Sequence, residues 1–194
     1  MGGLIVRAST EADVARCAEI YAHHVLHGTA SFEIEPPDLG EMKRRRGHVL
    51  ELGLPHLVAV RDGRVLGYAY AGNWRPRPAY KYSVEDSIYI DKDAVGQGVG
   101  RALLPVLIEQ CTGLGKRQMV AVIGDSAQIA SIKLHESCGF EMVGTLRSIG
   151  FKFGRWLDSV LMQRALGAGD GELPPRMEAR DATSAGWSGG HARA

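Results

Sequence analysis

The sequence is poor in cysteine and carries almost no net charge, and both shortages narrow the possible functions. Three cysteines occur among 194 residues, widely spaced at Cys17, Cys111 and Cys138. This odd number does not suit a disulfide framework and predicts a reduced, cytoplasmic protein. The formal net charge is +1, so no overall field indicates a nucleic-acid or membrane partner. No apolar run approaches the ~20 residues of a membrane-spanning helix, and the N-terminus lacks a secretory signal.

The remaining composition is that of an ordinary globular domain. Hydrophobic residues make up 45% of the chain and charged residues 23%, both typical values. From about residue 167 the sequence turns to glycine, proline, serine and charge, which predicts a disordered C-terminal tail over 167–194. One folded domain is therefore expected over residues 1–166.

Hydrophobic periodicity predicts alternating strands and helices. Helices are expected at about 11–26, 39–52, 99–113 and 127–138, and strands at 5–6, 56–60, 65–72, 84–90, 118–123, 140–147 and 156–165. Asp62-Gly63 lies between two strand patterns and is a hairpin turn signal. The order predicts an α/β domain in which one mixed sheet carries helices on its faces.

A glycine-rich turn between a strand and a helix is the most informative motif. In IYIDKDAVGQGVGRALL, Gly96, Gly98 and Gly100 remove side chains, so that backbone amides can approach a ligand closely. The first helical turn adds free N–H groups at the positive end of the helix dipole, which favours a pyrophosphate. The G-x-G-x-G spacing, followed by Arg101, matches neither a P-loop nor a Rossmann fingerprint. A tight turn that binds nothing stays open as the alternative.

This turn resembles the acetyl-CoA pyrophosphate loop of GNAT acetyltransferases, Q/R-x-x-G-x-G/A. The first motif position falls on Val95, which costs a polar side chain but leaves the backbone amides. A second segment, QIASIKLHESCGF, resembles the family's N-x-x-A-x-x-L-Y-x-x-x-G-F helix, with Gln128 in place of Asn and His135 in place of Tyr. The resemblance covers about residues 4–166. It implies the GNAT fold, a single mixed, mostly antiparallel sheet flanked by helices, with acetyl-CoA as co-substrate and no metal.

Several blocks resemble the phosphinothricin and methionine sulfoximine acetyltransferases in particular. They are the LHESCGF segment, YSVEDSIYI at 82–90, GFKFGRWLD at 150–158, Asn73-Trp74-Arg75 and residues 31–36. This likeness implies an N-acetyltransferase whose small amino-acid-like substrate attacks acetyl-CoA directly in a ternary complex. It also implies a homodimer.

Two side chains are expected to perform the proton transfers of the implied reaction. Glu85 lies on the strand before the glycine turn, where a carboxylate can accept the proton of the attacking amine. His135 is expected beside the coenzyme sulfur, where it can protonate the leaving thiolate or relay the amine proton. A solvated strand residue and a buried structural histidine are the respective alternatives.

The loop chemistry and the resemblance together predict two binding groups. The expected cofactor-binding residues are Ile88, Tyr89, Ile90, Gly96, Gln97, Gly98, Val99, Gly100, Arg101 and Gln128. The expected substrate-binding residues are Phe32, Trp74, Arg75, Pro76, Arg77, Glu85, Asp86 and Ser87. Arg75 and Arg77 suit a carboxylate or an oxyanion on phosphorus or sulfur. The backbone N–H groups of Ile88 and Ile90 are expected to pair with the pantetheine arm.

Two other functions stay open at this point. One is a GNAT enzyme that acts on protein N-termini, lysines or an amine antibiotic, against which a carboxylate clamp of Arg75 and Arg77 would argue. The other is a non-catalytic acyl-CoA-binding module, which the presence of both Glu85 and His135 disfavours. His23 and His27 have a metal-ligand spacing on a helix, but no third ligand is apparent and no metal is expected.

Overall fold

Seven strands form one mixed sheet flanked by four α-helices in the computed structural model, which describes residues 2–174. The strands are β1 (Ile5–Ala8), β2 (His56–Arg61), β3 (Arg64–Asn73), β4 (Ser83–Ile90), β5 (Gln118–Gly124), β6 (Glu141–Lys152) and β7 (Arg155–Ala165). The helices are α1 (Val14–His27), α2 (Leu39–Glu51), α3 (Val99–Gly113) and α4 (Ile129–Ser137). The predicted fold class is confirmed.

The sheet has the order β1-β2-β3-β4-β5-β7-β6 and opens at one place. All neighbouring strands are antiparallel except β4 and β5, which run parallel from Ser83↔Gln118 to Asp86↔Ala121. β5 continues beyond this point with β7 as its other neighbour, whereas the second half of β4 pairs only with β3. The two central strands therefore diverge into a V-shaped opening beside residues 87–90.

Helices cover both faces of the sheet, and β4 contributes side chains to each face. Val84, Ile88 and Ile90 belong to the apolar cluster around α3, whereas Tyr89 packs with the cluster around α1. Because successive side chains of a strand point to opposite faces, Asp86 faces α3 and α4. Its neighbour Glu85 faces the α1 and α2 side.

Most predicted elements are confirmed with their approximate bounds. Asp62 and Gly63 form the expected tight turn with φ of 51° and 77°. Residues 11–13 form a 3₁₀ turn ahead of α1, in which the Asp13 carboxylate accepts a hydrogen bond from the Thr10 N–H at 2.7 Å. Residues 167–174 contain turns; the rest of the predicted tail lies outside the described residues.

The sixth strand is longer than its sequence pattern predicted. It was expected to end at residue 147 but continues to Lys152, where it turns at Phe153 and Gly154 and returns as β7. The register with β7 shifts at two irregularities, between Met142 and Gly144 and between Leu146 and Gly150. A bulge interrupts the alternation of apolar and polar residues, so the period from which the strand was predicted is lost there.

Candidate active site

A cleft of about 500 Å³ occupies the opening between β4 and β5. Its walls are the end of β4, the glycine turn, the first turn of α3 and the outer side of α4. Most of the predicted cofactor-binding residues line it, namely Ile88, Ile90, Gly96, Gly98, Val99, Gly100, Arg101 and Gln128. The structure thus brings together two segments, the glycine turn and the start of α4, that are separate in the sequence.

The glycine turn presents backbone amides to this cleft. Gly96 and Gly98 have φ of 78° and 81°, and a Cβ at either position would meet nothing within 4 Å. Glycine is therefore needed for the left-handed backbone, and its missing side chain leaves open space on the surface of the turn. No side chain caps the start of α3, which leaves the N–H groups of its first turn facing the cleft.

Gly100 has a different purpose from the other two glycines. A Cβ at this position would lie 2.8 Å from the Leu134 Cδ2 atom on α4, much closer than packed carbon atoms approach. The missing side chain lets α3 and α4 pack together at the mouth of the cleft. The prediction that all three glycines serve close ligand approach is thus refined, because Gly100 serves helix packing.

The open edge of β4 offers hydrogen-bonding groups to an extended ligand. The Asp91 N–H donates to the Leu66 carbonyl on β3 at 2.8 Å. Backbone groups of an antiparallel strand alternate in direction, so the N–H and C=O groups of Ile88 and Ile90 point away from β3 into the opening. The Ile90 carbonyl accepts a hydrogen bond from His24 Nε2 at 2.7 Å. His24, which also lines the cleft, was not predicted as a site residue.

Two predicted cofactor-binding side chains face elsewhere. The Tyr89 ring packs edge-on against Tyr21 and stacks with Tyr68 at centroid distances of 4.8 Å and 5.4 Å. Gln97 accepts a hydrogen bond from Arg61 and donates to the Asp93 carbonyl, at 2.9 Å and 2.7 Å. Neither lines this larger cleft, because strand alternation turns the Tyr89 ring inward and the turn directs Gln97 outward. Tyr89 does contribute to the lining of a smaller neighbouring cavity.

A smaller cavity of about 60 Å³ forms the inner end of the opening. It shares Ala30, Ile88, Gln128 and Ser131 with the larger cleft. The remaining lining comes from the middle of β4, from residues 121–124 of β5 and from His135 on α4. The two cavities are therefore neighbouring parts of one site.

His135 and Asp86 form a buried pair at this inner end. His135 Nε2 lies 3.0 Å from Asp86 Oδ2, and the two side chains are 2% and 1% exposed. Burial opposes the charged form of His135, but the hydrogen bond to Asp86 and the charge of Asp86 outweigh it, so its pKa is raised. Asp86 was predicted to bind substrate beside Glu85. The structure places it on the other face of β4, because neighbouring strand residues alternate.

Glu85 lies half-buried on the face of the sheet that is covered by α1 and α2. Burial raises the pKa of its carboxyl group, the negative charge of Asp86 raises it further, and the charge of Arg75 lowers it. The Arg75 guanidinium stacks over the Trp74 ring at 4.8 Å. Three residues of the predicted substrate group therefore come together, and the carboxylate is a stronger proton acceptor than an exposed glutamate.

Phe32 belongs to a loop that is fastened across the β5–β7 end of the opening. A Cβ at Gly124 would lie 2.9 Å from the Phe32 ring, and one at Gly150 would overlap it. The missing side chains of these two glycines therefore leave the space that the ring occupies. The buried Lys152 Nζ donates to the carbonyls of Gly28 and Ser31 at 3.0 Å and 2.7 Å. Lys152 was not predicted as a site residue, and only its place in GFKFGRWLD hinted at a role.

The remaining predicted substrate residues are more dispersed. Ser87 lies on the Glu85 face, where it hydrogen-bonds to Tyr70, and it contributes to the lining of the inner cavity. Pro76 and Arg77 are exposed on the connection between β3 and β4. Arg77 directly precedes a 3₁₀ turn, Pro78–Tyr80.

Residues 2–174 contain no group of three or more His, Cys, Asp or Glu side chains that could hold a metal ion. The His23 and His27 rings lie 5.0 Å apart, and no third candidate ligand within residues 2–174 joins them. No helix of the described part of the chain is long and apolar enough to cross a membrane.

Comparison with known proteins finds matches over most of the chain. A family model described as "Acetyltransferase (GNAT) domain" matches residues 6–161. A phosphinothricin N-acetyltransferase of Alcaligenes faecalis is 57% identical over 169 residues, covering 87% of this chain and 86% of that protein. An L-methionine sulfoximine/L-methionine sulfone acetyltransferase of Salmonella typhimurium is 40% identical over 163 residues, covering 84% of this chain and 95% of that protein.

A solved structure is similar over nearly the whole described chain. It is a GNAT superfamily phosphinothricin acetyltransferase from Sinorhizobium meliloti in complex with AcCoA, with a TM-score of 0.87 and 45% identity. The match covers 92% of this chain and 96% of that one.

Proposed function

The chain belongs to the GNAT acetyltransferase family, and we propose that it moves the acetyl group of acetyl-CoA to the amino group of a small free amino acid of the phosphinothricin or methionine sulfoximine type. The observation that carries this proposal is the convergence of Glu85, Trp74 and Arg75 across the strand from the coenzyme cleft. The names of the relatives support the same substrate class.

The cleft suits acetyl-CoA by its shape and by its donors. The amides at Gly96, Gly98 and the start of α3 would hold the pyrophosphate, with the helix dipole behind them. The backbone N–H groups of Ile88 and Ile90 would pair with the pantetheine arm as a neighbouring strand would, because they point into the opening. The thioester would then lie near the inner cavity.

The reaction needs proton transfers and positioning but no enzyme nucleophile. The substrate ammonium loses a proton to Glu85, directly or through water, and the free amine attacks the thioester carbon in a ternary complex. The carbon–nitrogen bond forms and the nitrogen gives up its second proton to water, the carbon–sulfur bond breaks, and the sulfur leaves with the electron pair and takes up a proton. Holding both substrates side by side supplies much of the rate, and the raised pKa of Glu85 suits a base that works near neutral pH.

Arg75 is expected to bind the charged end of the substrate. A charge-assisted hydrogen bond of this kind contributes about 1.5–3 kcal/mol, so Arg75→Ala should lower kcat/KM for phosphinothricin or methionine sulfoximine by roughly ten- to a hundred-fold. The coenzyme site does not include Arg75, and acetyl-CoA binding should stay unchanged. Steady-state kinetics with each substrate varied in turn would measure both effects.

The matched control for this change is Arg44→Ala on the exposed side of α2, where Arg44 pairs with Glu41. It should leave kcat/KM near the wild-type value. Amidated substrates keep the amine but lose the charge, so they should be poor for the wild type and less affected by Arg75→Ala. Equal wild-type activity on amides, peptides and free acids would contradict the clamp and favour an enzyme that acts on protein N-termini or lysines.

A homodimer is part of the proposal, and the outer edge of the sheet supports it. β6 is an edge strand with an unusual number of exposed apolar side chains, which are Met142, Val143, Leu146, Ile149 and Phe151. Phe153 and Trp156 extend this apolar edge around the turn into β7. A long apolar edge strand is prone to aggregation unless something covers it, and a second copy with C₂ symmetry is the commonest solution.

Light scattering at micromolar concentration should therefore give twice the mass of the chain. Leu146→Asp should shift the protein towards the monomer, because it places a charge within the apolar edge, whereas Leu114→Asp at the exposed end of α3 should leave the mass unchanged. A monomeric wild-type protein would refute the proposed dimer.

The proposal also includes a folded domain over residues 1–166 and a cytoplasmic location of the protein. Leu166 is buried, and its N–H donates to the Arg117 carbonyl at 2.9 Å, which supports a domain that reaches residue 166. All three cysteines are free, as suits a reducing cytoplasm.

A further inference from the structure

The Asp86–His135 pair makes more specific hydrogen bonds than a packing contact in the core requires. Both ring nitrogens of His135 face acceptors, since Nδ1 lies 2.7 Å from the Ser131 carbonyl and Nε2 lies 3.0 Å from Asp86 Oδ2. The carbonyl oxygen can only accept, so Nδ1 must carry a hydrogen. A second proton must then lie between Nε2 and Oδ2, because two lone pairs at this distance would repel. The pair therefore stores one proton.

The surroundings of the pair favour His135 as the site of that proton. The Phe140 ring meets His135 edge-on at a centroid distance of 5.0 Å. On α3, burial raises the pKa of the Cys111 thiol to about 12, so this neighbour of Asp86 stays neutral. Burial lowers the pKa of His135, but the hydrogen bond to Asp86 and the charge of Asp86 raise it by more, which favours the proton on the ring.

One atom of the pair has no partner of its own. Asp86 Oδ1 is buried and makes no hydrogen bond within residues 2–174, an arrangement that costs free energy and requires an explanation such as a catalytic role or a bound water. Asp86 also lines the inner cavity of about 60 Å³, which has room for water. The stored proton thus lies beside a space that opens into the coenzyme cleft.

We propose that Asp86 is a positioning residue for acetyl transfer, whose carboxylate holds the His135 ring and its Nε2 proton at the place where the thiolate of coenzyme A leaves. This inference rests on the proposed function. When the carbon–sulfur bond breaks, the sulfur takes the Nε2 proton and the Nε2–Oδ2 hydrogen bond is given up. Neutral His135 keeps its Nδ1–H bond to Ser131, and solvent returns the proton after coenzyme A leaves.

Loss of the Asp86 charge should change kcat and its pH profile but leave acetyl-CoA binding nearly unchanged. In Asp86→Asn the amide keeps the shape of the carboxylate but not its charge, so the His135 pKa should fall. kcat should drop by roughly 10²-fold at pH 8, whereas KM for acetyl-CoA should stay within about twofold. His135 must be protonated to act, so the alkaline limb of the kcat profile should move to lower pH.

The pKa of His135 can be measured without any turnover, by following its ring resonances in NMR against pH in the wild-type protein and in Asp86→Asn. The matched control is Asp13→Asn at the start of α1, which breaks the ion pair of the buried Asp13 carboxylate with the partly exposed Arg7. It should leave the profile and the His135 pKa unchanged. The double variant Asp86→Asn/His135→Gln should be no slower than His135→Gln alone, because the two residues act as one unit.

Three results would overturn the proposal. One is a wild-type His135 pKa at or below its ordinary value, and another is an unchanged His135 pKa in Asp86→Asn. The third is a lowered His135 pKa with an unchanged kcat profile, which would make the pair structural only. If Asp86→Asn does not fold, the wild-type titration of His135 and the kcat profile of His135→Gln still test the proposal. Full activity of His135→Gln would reject proton donation by His135 and with it the positioning role of Asp86. A wild-type enzyme that acetylates no amine would instead refute the proposed function.

Discussion

Replacement of Glu85 by glutamine is expected to lower kcat by roughly 10²–10⁴-fold, the usual cost of losing a general base. Glutamine has nearly the same shape, so acetyl-CoA binding and the fold should be preserved. The loss should appear in kcat and in kcat/KM alike, because the proton is transferred only on the way to products. Steady-state kinetics, together with the acetyl-CoA dependence of the melting temperature, would separate the two effects.

The pH dependence of the same step has a definite sign. Burial, aided by the charge of Asp86, raises the pKa of Glu85, and only the ionised carboxylate can accept a proton. Activity should therefore rise with pH through a value above that of an ordinary glutamate, and this acidic limb should vanish in Glu85→Gln. Glu109→Gln on the exposed side of α3 is the matched control and should keep both the rate and the limb. Full activity of Glu85→Gln would remove Glu85 from the mechanism.

Substitution of Gly98 by valine is expected to abolish acetyl-CoA binding. Gly98 has φ of 81°, a conformation that β-branched residues rarely adopt, and a new side chain would lie where the pyrophosphate meets the turn. At a concentration of about 100 times Kd, acetyl-CoA should stabilise the wild type by about 2.7 kcal/mol. That corresponds to a melting-temperature increase of about 5–10 °C, which should disappear in Gly98→Val.

The matched control is Gly115→Val, just beyond the other end of α3. Gly115 also has positive φ, 75°, and open space around its Cβ position, so valine there imposes a similar backbone cost. This variant should melt at a lower temperature but keep the full increase with acetyl-CoA. A folded Gly98→Val protein with an undiminished increase would show that the turn does not hold the coenzyme.

Local signals in the sequence were sufficient for most of the elements and for the segments that line the larger cleft. The helix predicted over 99–113 is α3 with the same bounds, because an uninterrupted apolar stripe follows a clear glycine start. The turn and the α4 motif were predicted separately, and the sheet brings them together at Gly100 and Leu134. Residues whose roles depend on their own backbone conformation, such as Gly96 and Gly98, can be identified in this way.

Residues whose roles depend on distant partners could not be identified from the chain alone. His24 meets the Ile90 carbonyl and Lys152 meets the Gly28 carbonyl, and neither pairing leaves a pattern in the sequence. Asp86 was different, because the alternation of side chains along β4 already separates it from Glu85. Asp86 was predicted to bind substrate because it follows Glu85 in the sequence. In the structure it hydrogen-bonds to His135 on α4 instead.

The most direct test of the account is a thiol-release assay with acetyl-CoA, with the products identified by mass spectrometry. The substrates would be phosphinothricin, methionine sulfoximine, methionine sulfone, ordinary amino acids, amidated forms of the same compounds and a short peptide. We expect release of coenzyme A together with one N-acetyl group on the free acids, and little activity on the amides and the peptide. Acetylation of the peptide at a comparable or higher rate, or no amine-dependent release at all, would contradict it.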